Sequence, residues 1–204
     1  MTVRVKICGV TRLEDALQAA RLGADAVGFN LWPGSRRHVG ADAVRAMVDR
    51  LPPFVTPVGV FVNQPVPEVL DLAARSGVAV VQLHGDESWQ ECAAIPLPVL
   101  KALRVAGAAS LAGLERYRVR GFLLDAPSAG FGGSGHTFDW SLARAVAARA
   151  TVVLAGGLTP ENVADAVREV RPWAVDVASG VESAPGVKDP DRMARFIARA
   201  KEIA

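Results

Sequence analysis

The sequence predicts a closed barrel of eight parallel strands ringed by helices, a single (β/α)8 TIM-barrel domain of the α/β class over residues 1–204. Three observations predict it. Short β-branched apolar runs recur eight times at a spacing of roughly 25 residues, the size of one unit of such a barrel. The segments between them change from a period of two to a period of 3.6. Strands alternating with helices imply parallel pairing, because parallel strands need a crossover that is usually helical. A doubly wound open sheet is the runner-up.

The elements follow in order along the chain. The first run, VRVKIC at 3–8, puts Val5 and Ile7 on one face and Lys6 and Cys8 on the other. Leu13, Ala16, Leu17 and Ala20 then make a helical stripe. AVGFN (26–30) precedes a second stripe of Val44, Met47, Val48 and Leu51. After TPVGVFV (56–62), Pro67 opens a third helix. AVVQL (79–83) leads into SWQECAAI, an outer helix in which Cys92 has a structural role. VLKALR (99–104) and GFLLD (121–125) come next. The long helix-poor connection APSAGFGGSGHTFD (126–139) suggests an active-site loop. TVVLAG (151–156) is followed by Thr159-Pro160, which reads as an N-cap with proline at the first helical position. The stripe of Val163, Ala166, Val167 and Val170 continues that helix. AVDVAS (174–179) is the last strand. Asp189-Pro190 repeats the cap signal before Met193, Phe196, Ile197 and Ala200.

Bulk properties exclude several function classes. Half of the 204 residues are hydrophobic and 22% are charged, with both signs mixed, which argues against disorder. The net charge of +2 comes with dispersed arginines, so neither nucleic acid nor a membrane surface is indicated as a partner. No apolar run approaches the ~20 residues of a membrane helix. Cys8 and Cys92 lack metal-ligand spacing, and no signal-like segment is visible. They read as free thiols in a reducing cytosol, so the expected location is cytoplasmic.

In a barrel of this kind chemistry sits at the C-terminal ends of the strands. Cys8 ends the first strand. It is either a small buried hydrophobe or a base or nucleophile, the second if nearby positive charge lowers its pKa from about 8.5. Asp125 ends the sixth strand, where an acid is either a cap for the next loop or a proton donor. Lys6 and Asp176 become neighbours if the barrel closes and then pair with one another. Arg36 and Arg37, beside His38, form either a solvated turn or a fork for a carboxylate. Gly156 and Gly157 after strand seven, with Ser179 and Gly180 after strand eight, can aim backbone amides at a phosphate. The GGSG at 132–135 is a weaker signal. His84 is either a satisfied core histidine or a substrate contact. It has no second ligand spaced for a metal site, and no G-x-S-x-G elbow supports a triad.

Taken together, KICGVT, EDALQAARLGADAVGF, GVFVN, VQLHG, LLDA, GGSGHTFDW, AGGLTPENV and VDVASGVE resemble the phosphoribosylanthranilate isomerase family of tryptophan biosynthesis, over about residues 3–200. The resemblance implies a (β/α)8 barrel that uses neither cofactor nor metal. It implies an Amadori rearrangement of the small-molecule substrate N-(5-phosphoribosyl)anthranilate to 1-(2-carboxyphenylamino)-1-deoxyribulose 5-phosphate. By the same resemblance Cys8 is the general base, Asp125 the general acid and Arg37, rather than Arg36, the partner of the anthranilate carboxylate. The phosphate falls to Gly156, Gly157, Ser179 and Gly180. Two departures are visible: His38 replaces a frequent aromatic, and DVASGVE replaces DVSSGVE, so Ala178 removes a hydroxyl near the phosphate. The family leaves monomer or homodimer open. Two other readings remain at this point. The related histidine-pathway sugar isomerase implies an aspartate in place of Cys8. A non-catalytic barrel would bind a phosphate ester as a regulator or scaffold.

Overall fold

The apolar runs become strands and the 3.6-period segments become helices in a computed structural model that describes residues 2–127 and 138–202. Strands β1 (Arg4–Ile7), β2 (Ala26–Asn30), β3 (Thr56–Phe61), β4 (Val80–Leu83), β5 (Val99–Arg104), β6 (Gly121–Asp125), β7 (Val152–Leu154) and β8 (Ala174–Val177) pair in parallel and in chain order. β8 returns to β1 with Asp176 opposite Lys6, which closes the ring. The doubly wound alternative is thereby excluded. A short antiparallel hairpin, β9 (Glu182–Ala184) and β10 (Val187–Lys188), follows the last barrel strand.

Helices α1 (Leu13–Arg21), α2 (Ala41–Val48), α3 (Val66–Ser76), α4 (Trp89–Ala93), α5 (Trp140–Ala147), α6 (Val163–Val170) and α7 (Pro190–Lys201) form the outer ring. Their apolar stripes meet the outward residues of the strands. Val5 and Ile7, for example, join the large cluster that also holds Val44, Met193, Phe196 and Ile197. Each such side chain contributes about 1.5–3 kcal/mol on full burial, so this layer dominates the stability of the ring. The inward faces form a smaller cluster of Ala102, Leu123, Val153, Ala155 and Ala174. The buried Lys6, Gln82, Asp125 and Asp176 lie on those inward faces as well.

The caps expected from sequence are partly realised. Asp189 accepts hydrogen bonds from the amides of Asp191 and Arg192 and starts α7. Ser88 and Glu91 form a reciprocal capping box at α4, where Cys92 is buried in the outer ring. The Thr159-Pro160 expectation needs correction: α6 begins at Val163, with Asn162 preceding it. Thr159 instead closes a tight turn, its hydroxyl accepting from the Glu161 amide while its own amide donates to Asn162 Oδ1. The fifth crossover also departs from the pattern. Residues 105–120 hold two single 3-10 turns, at 108–111 and 114–116, and no α-helix. Gly107 and Gly113 punctuate that stretch before an α-helix can propagate. Most of the connection expected at 126–139, including the GGSG, lies outside the described residues. Among the described residues no helix is long and apolar enough to cross a membrane.

Candidate active site

Closing the ring brings the C-terminal ends of β1, β2, β3, β4, β6, β7 and β8 around one pocket. Cys8, Arg37, His84, Asp125, Gly156, Gly157, Ser179 and Gly180 all line it, together with Gln82, Asp176 and Ala178. Every site residue expected from the sequence is therefore present in a single cavity. Arg36 is exposed and Arg37 is not, which separates the two arginines. A larger cleft of about 940 Å³ lies at the other end, where β1 and β8 begin, lined by Arg4, Arg149, Arg168, Arg171 and Trp173 among others. Its lining holds no thiol, carboxylate or imidazole, whereas the smaller pocket holds all three.

Cys8 lies just beyond β1, where its amide still donates to the Val177 carbonyl at 2.8 Å. One layer below, Lys6 Nζ donates to Asp176 Oδ1 at 2.8 Å, with both groups buried. Burial works against the Lys6 charge, but Asp176 and then Cys8 outweigh it and hold the ammonium protonated beyond the ordinary lysine range. The thiol itself does not follow the sequence expectation. Burial, and after it the Asp176 charge, pushes the Cys8 pKa up, while Lys6 and Lys188 only partly oppose them. Positive charge is present, and it loses to desolvation.

Asp125 is reached through a chain of side chains that begins inside the barrel. Gln82 Nε2 lies 2.9 Å from His84 Nδ1, and His84 Nε2 lies 3.2 Å from Asp125 Oδ2. The ring bridges Gln82 and the Asp125 carboxyl, one nitrogen to each. His84 thus touches both the pocket and the acid. Asp125 Oδ1 accepts from the Ala126 amide at 2.9 Å, which fixes the other oxygen. Gln82 was not singled out from the sequence, although its two-residue spacing from His84 already placed both on one face.

The loop that carries His84 is pinned from behind. Lys101 Nζ donates to Glu87 Oε2 at 2.7 Å and to the Gly85 carbonyl at 2.8 Å, while Glu87 accepts from the amides of Asn63 and Gly85. Removing one partner of such a buried pair typically costs about 3–5 kcal/mol. The pair therefore fixes the loop, even though the pocket residues do not include it.

Two loops meet at the far side of the pocket. A Cβ built on Gly180 would come within 2.1 Å of the Leu158 carbonyl oxygen, so the loops after β7 and β8 touch backbone to backbone. Asn162 holds the first of them by donating from Nδ2 to the Gly157 carbonyl at 2.9 Å. The sequence placed Gly156, Gly157, Ser179 and Gly180 on these two loops, and the fold brings them together. Ala178 lines the pocket too, and its carbonyl accepts from Lys188 Nζ at 3.1 Å.

Known proteins resemble this chain over nearly its full length. The family model for N-(5'phosphoribosyl)anthranilate (PRA) isomerase matches residues 5–199. An N-(5'-phosphoribosyl)anthranilate isomerase of Geobacter metallireducens is 52% identical over 200 residues, which are 98% of this chain and 99% of that one. The crystal structure of phosphoribosyl anthranilate isomerase from Thermotoga maritima superposes with a TM-score of 0.93 at 47% identity, covering 98% of this chain and 99% of that one. A further structure, phosphoribosyl anthranilate isomerase in complex with reduced 1-(o-carboxyphenylamino)-1-deoxyribulose 5-phosphate, gives a TM-score of 0.89 at 45% identity, with 98% and 99% covered.

Proposed function

Because this chain belongs to the N-(5'-phosphoribosyl)anthranilate isomerase family, an isomerase of tryptophan biosynthesis, we propose that Cys8 is the general base and Asp125 the general acid of its Amadori rearrangement. The observation that carries the assignment is the shared pocket: the thiol from β1 and the carboxyl from β6 face one cavity, with Arg37 and the two glycine loops on its walls. The reduced product held by the relative has a carboxylate and a phosphate. Arg37 suits the first, since a guanidinium edge binds a carboxylate through two parallel hydrogen bonds. The amides of Gly156, Gly157, Ser179 and Gly180 suit the second.

The steps follow from what the rearrangement demands. Protonated Asp125 gives its proton to the ribose ring oxygen as the bond from C1′ to that oxygen breaks. The anthranilate nitrogen supplies the electron pair, and a protonated Schiff base forms. The Cys8 thiolate then takes the C2′ proton. The electrons left behind make the C1′–C2′ double bond and neutralise the nitrogen, giving an enolamine that tautomerises to the ketone. No atoms are gained or lost. His84 orients the Asp125 carboxyl at the cavity wall through its Nε2 contact.

Cys8→Ser and Asp125→Asn, each assayed for turnover and for binding of the reduced product, test the assignment. Both variants lose turnover and retain binding if the roles are correct. Full activity in either variant removes that residue from its role.

A further inference from the structure

Arg37 is separated from Glu182 by 145 positions in sequence and joined to it by two short hydrogen bonds. Nε donates to Oε1 at 2.7 Å and Nη2 donates to Oε2 at 2.6 Å. Glu182 is buried and accepts further bonds from Lys188 Nζ at 2.8 Å and the Gly186 amide at 3.2 Å. The β9–β10 hairpin makes this possible by setting Glu182 opposite Lys188.

A guanidinium is planar and rigid, so fixing one edge fixes the other. The Nε/Nη2 edge of Arg37 is taken by Glu182. Among the described residues Nη1 has no hydrogen-bond partner, and Arg37 lines the pocket. The Nη1/Nη2 edge is thus left for a second carboxylate. Two cations share the one Glu182 charge, which leaves a positive excess at that edge.

We infer that Glu182 is the positioning residue of the carboxylate subsite: it clamps the inner edge of Arg37 so that the outer edge meets the aromatic carboxylate of the substrate. This rests on the assignment of Arg37 to that carboxylate. The clamp is tied to the base as well. Lys188 Nζ donates to the Cys8 carbonyl at 2.6 Å, so the anchor for the carboxylate and the backbone bearing the thiol hold a common spacing. Gly9 completes it. Its φ is +70°, and an added Cβ would lie 2.4 Å from Arg37 Cδ, so the arginine stem crosses bare backbone where β1 ends.

Steady-state kinetics of Glu182→Gln test the inference, with the anthranilate substrate and with an analogue in which aniline replaces anthranilate. KM for the carboxylate substrate is expected to rise about tenfold or more while kcat stays within about threefold, and the analogue is expected to show no KM penalty. The double variant Glu182→Gln with Lys188→Met removes both buried charges, so it folds without an unpaired ammonium and is expected to give the same KM rise. Unchanged or lowered KM in a folded variant overturns the inference, as does an equal loss with the aniline analogue. Arg37→Ala separates the two levels. If it raises KM while the Glu182 variants do not, Glu182 is rejected and the Arg37 assignment stands. If it leaves KM unchanged, both fall.

Discussion

Replacing Gly28 by alanine tests whether catalysis depends on where the Cys8 sulfur lies. Gly28 is on β2, beside β1, and an added Cβ would come to 2.8 Å from Cys8 Sγ and 3.0 Å from Lys6 Nζ. Ordinary contact between such atoms begins near 3.5–4.0 Å, so the overlap is roughly 1 Å. Lys6 is held by Asp176 at 2.8 Å. The thiol has a single torsion to turn, and it is the group that yields. Overpacking of this kind costs about 1–3 kcal/mol, and the lost freedom of the unfolded chain returns about 0.4–1 kcal/mol. The variant is therefore destabilised by no more than about 2.5 kcal/mol and stays folded. A displacement near 1 Å in a reacting group costs about 100-fold in rate. Thermal unfolding and a fluorescence assay for anthranilate consumption measure the two effects. The expected result is kcat down about 100-fold, KM within about threefold, and a cooperative melt. A folded Gly28→Ala variant with kcat near that of the parent would refute the reasoning.

Three further outcomes are expected. A base acts deprotonated, so kcat/KM falls as pH drops through the Cys8 pKa; because burial and Asp176 raise that pKa, the acidic limb should lie above the ordinary thiol value of about 8.5. Asp176→Asn removes one cause and should move the limb to lower pH, and a limb that stays or rises contradicts the account. The two thiols should differ toward a disulfide reagent near pH 8: Cys8 reacts from the pocket, whereas Cys92, 1% exposed and pushed up to about 11 chiefly by burial, reacts only on unfolding or toward that pH. Equal rates would refute this. Asn162→Ala removes two hydrogen bonds that brace the loop of Gly157, costing about 1–2 kcal/mol by unfolding. It should also weaken inhibition by inorganic phosphate, and an unchanged inhibition constant counts against a phosphate site there.

The barrel was legible because its signal is local and repeated. Val5 and Ile7 alternate with Lys6 and Cys8, and period-two placement alone puts the second pair inside. The Lys6–Asp176 pair followed once closure made the first and last strands neighbours. Sequence periodicity placed Cys8 and Asp125 at strand ends, but the chemical roles proposed for them rest on family motifs. Glu182 and Lys188 escaped because their partners lie far away in the chain and their hairpin strands are only two or three residues long. The thiol's raised pKa escaped for a different reason: the lysines are visible in the sequence, whereas the burial that outweighs them exists only in the fold. Thr159-Pro160 misled because a cap and a tight turn use the same residues, and Asn162 decides between them three positions later.

The central claim is that the Cys8 thiolate removes the C2′ proton. Substrate deuterated at C2′, followed by mass spectrometry in ordinary water, tests it most directly. The parent enzyme should release the C2′ deuterium as product forms, and Cys8→Ser should retain it while still binding the reduced product. Loss of deuterium at the parental rate in Cys8→Ser would contradict the account.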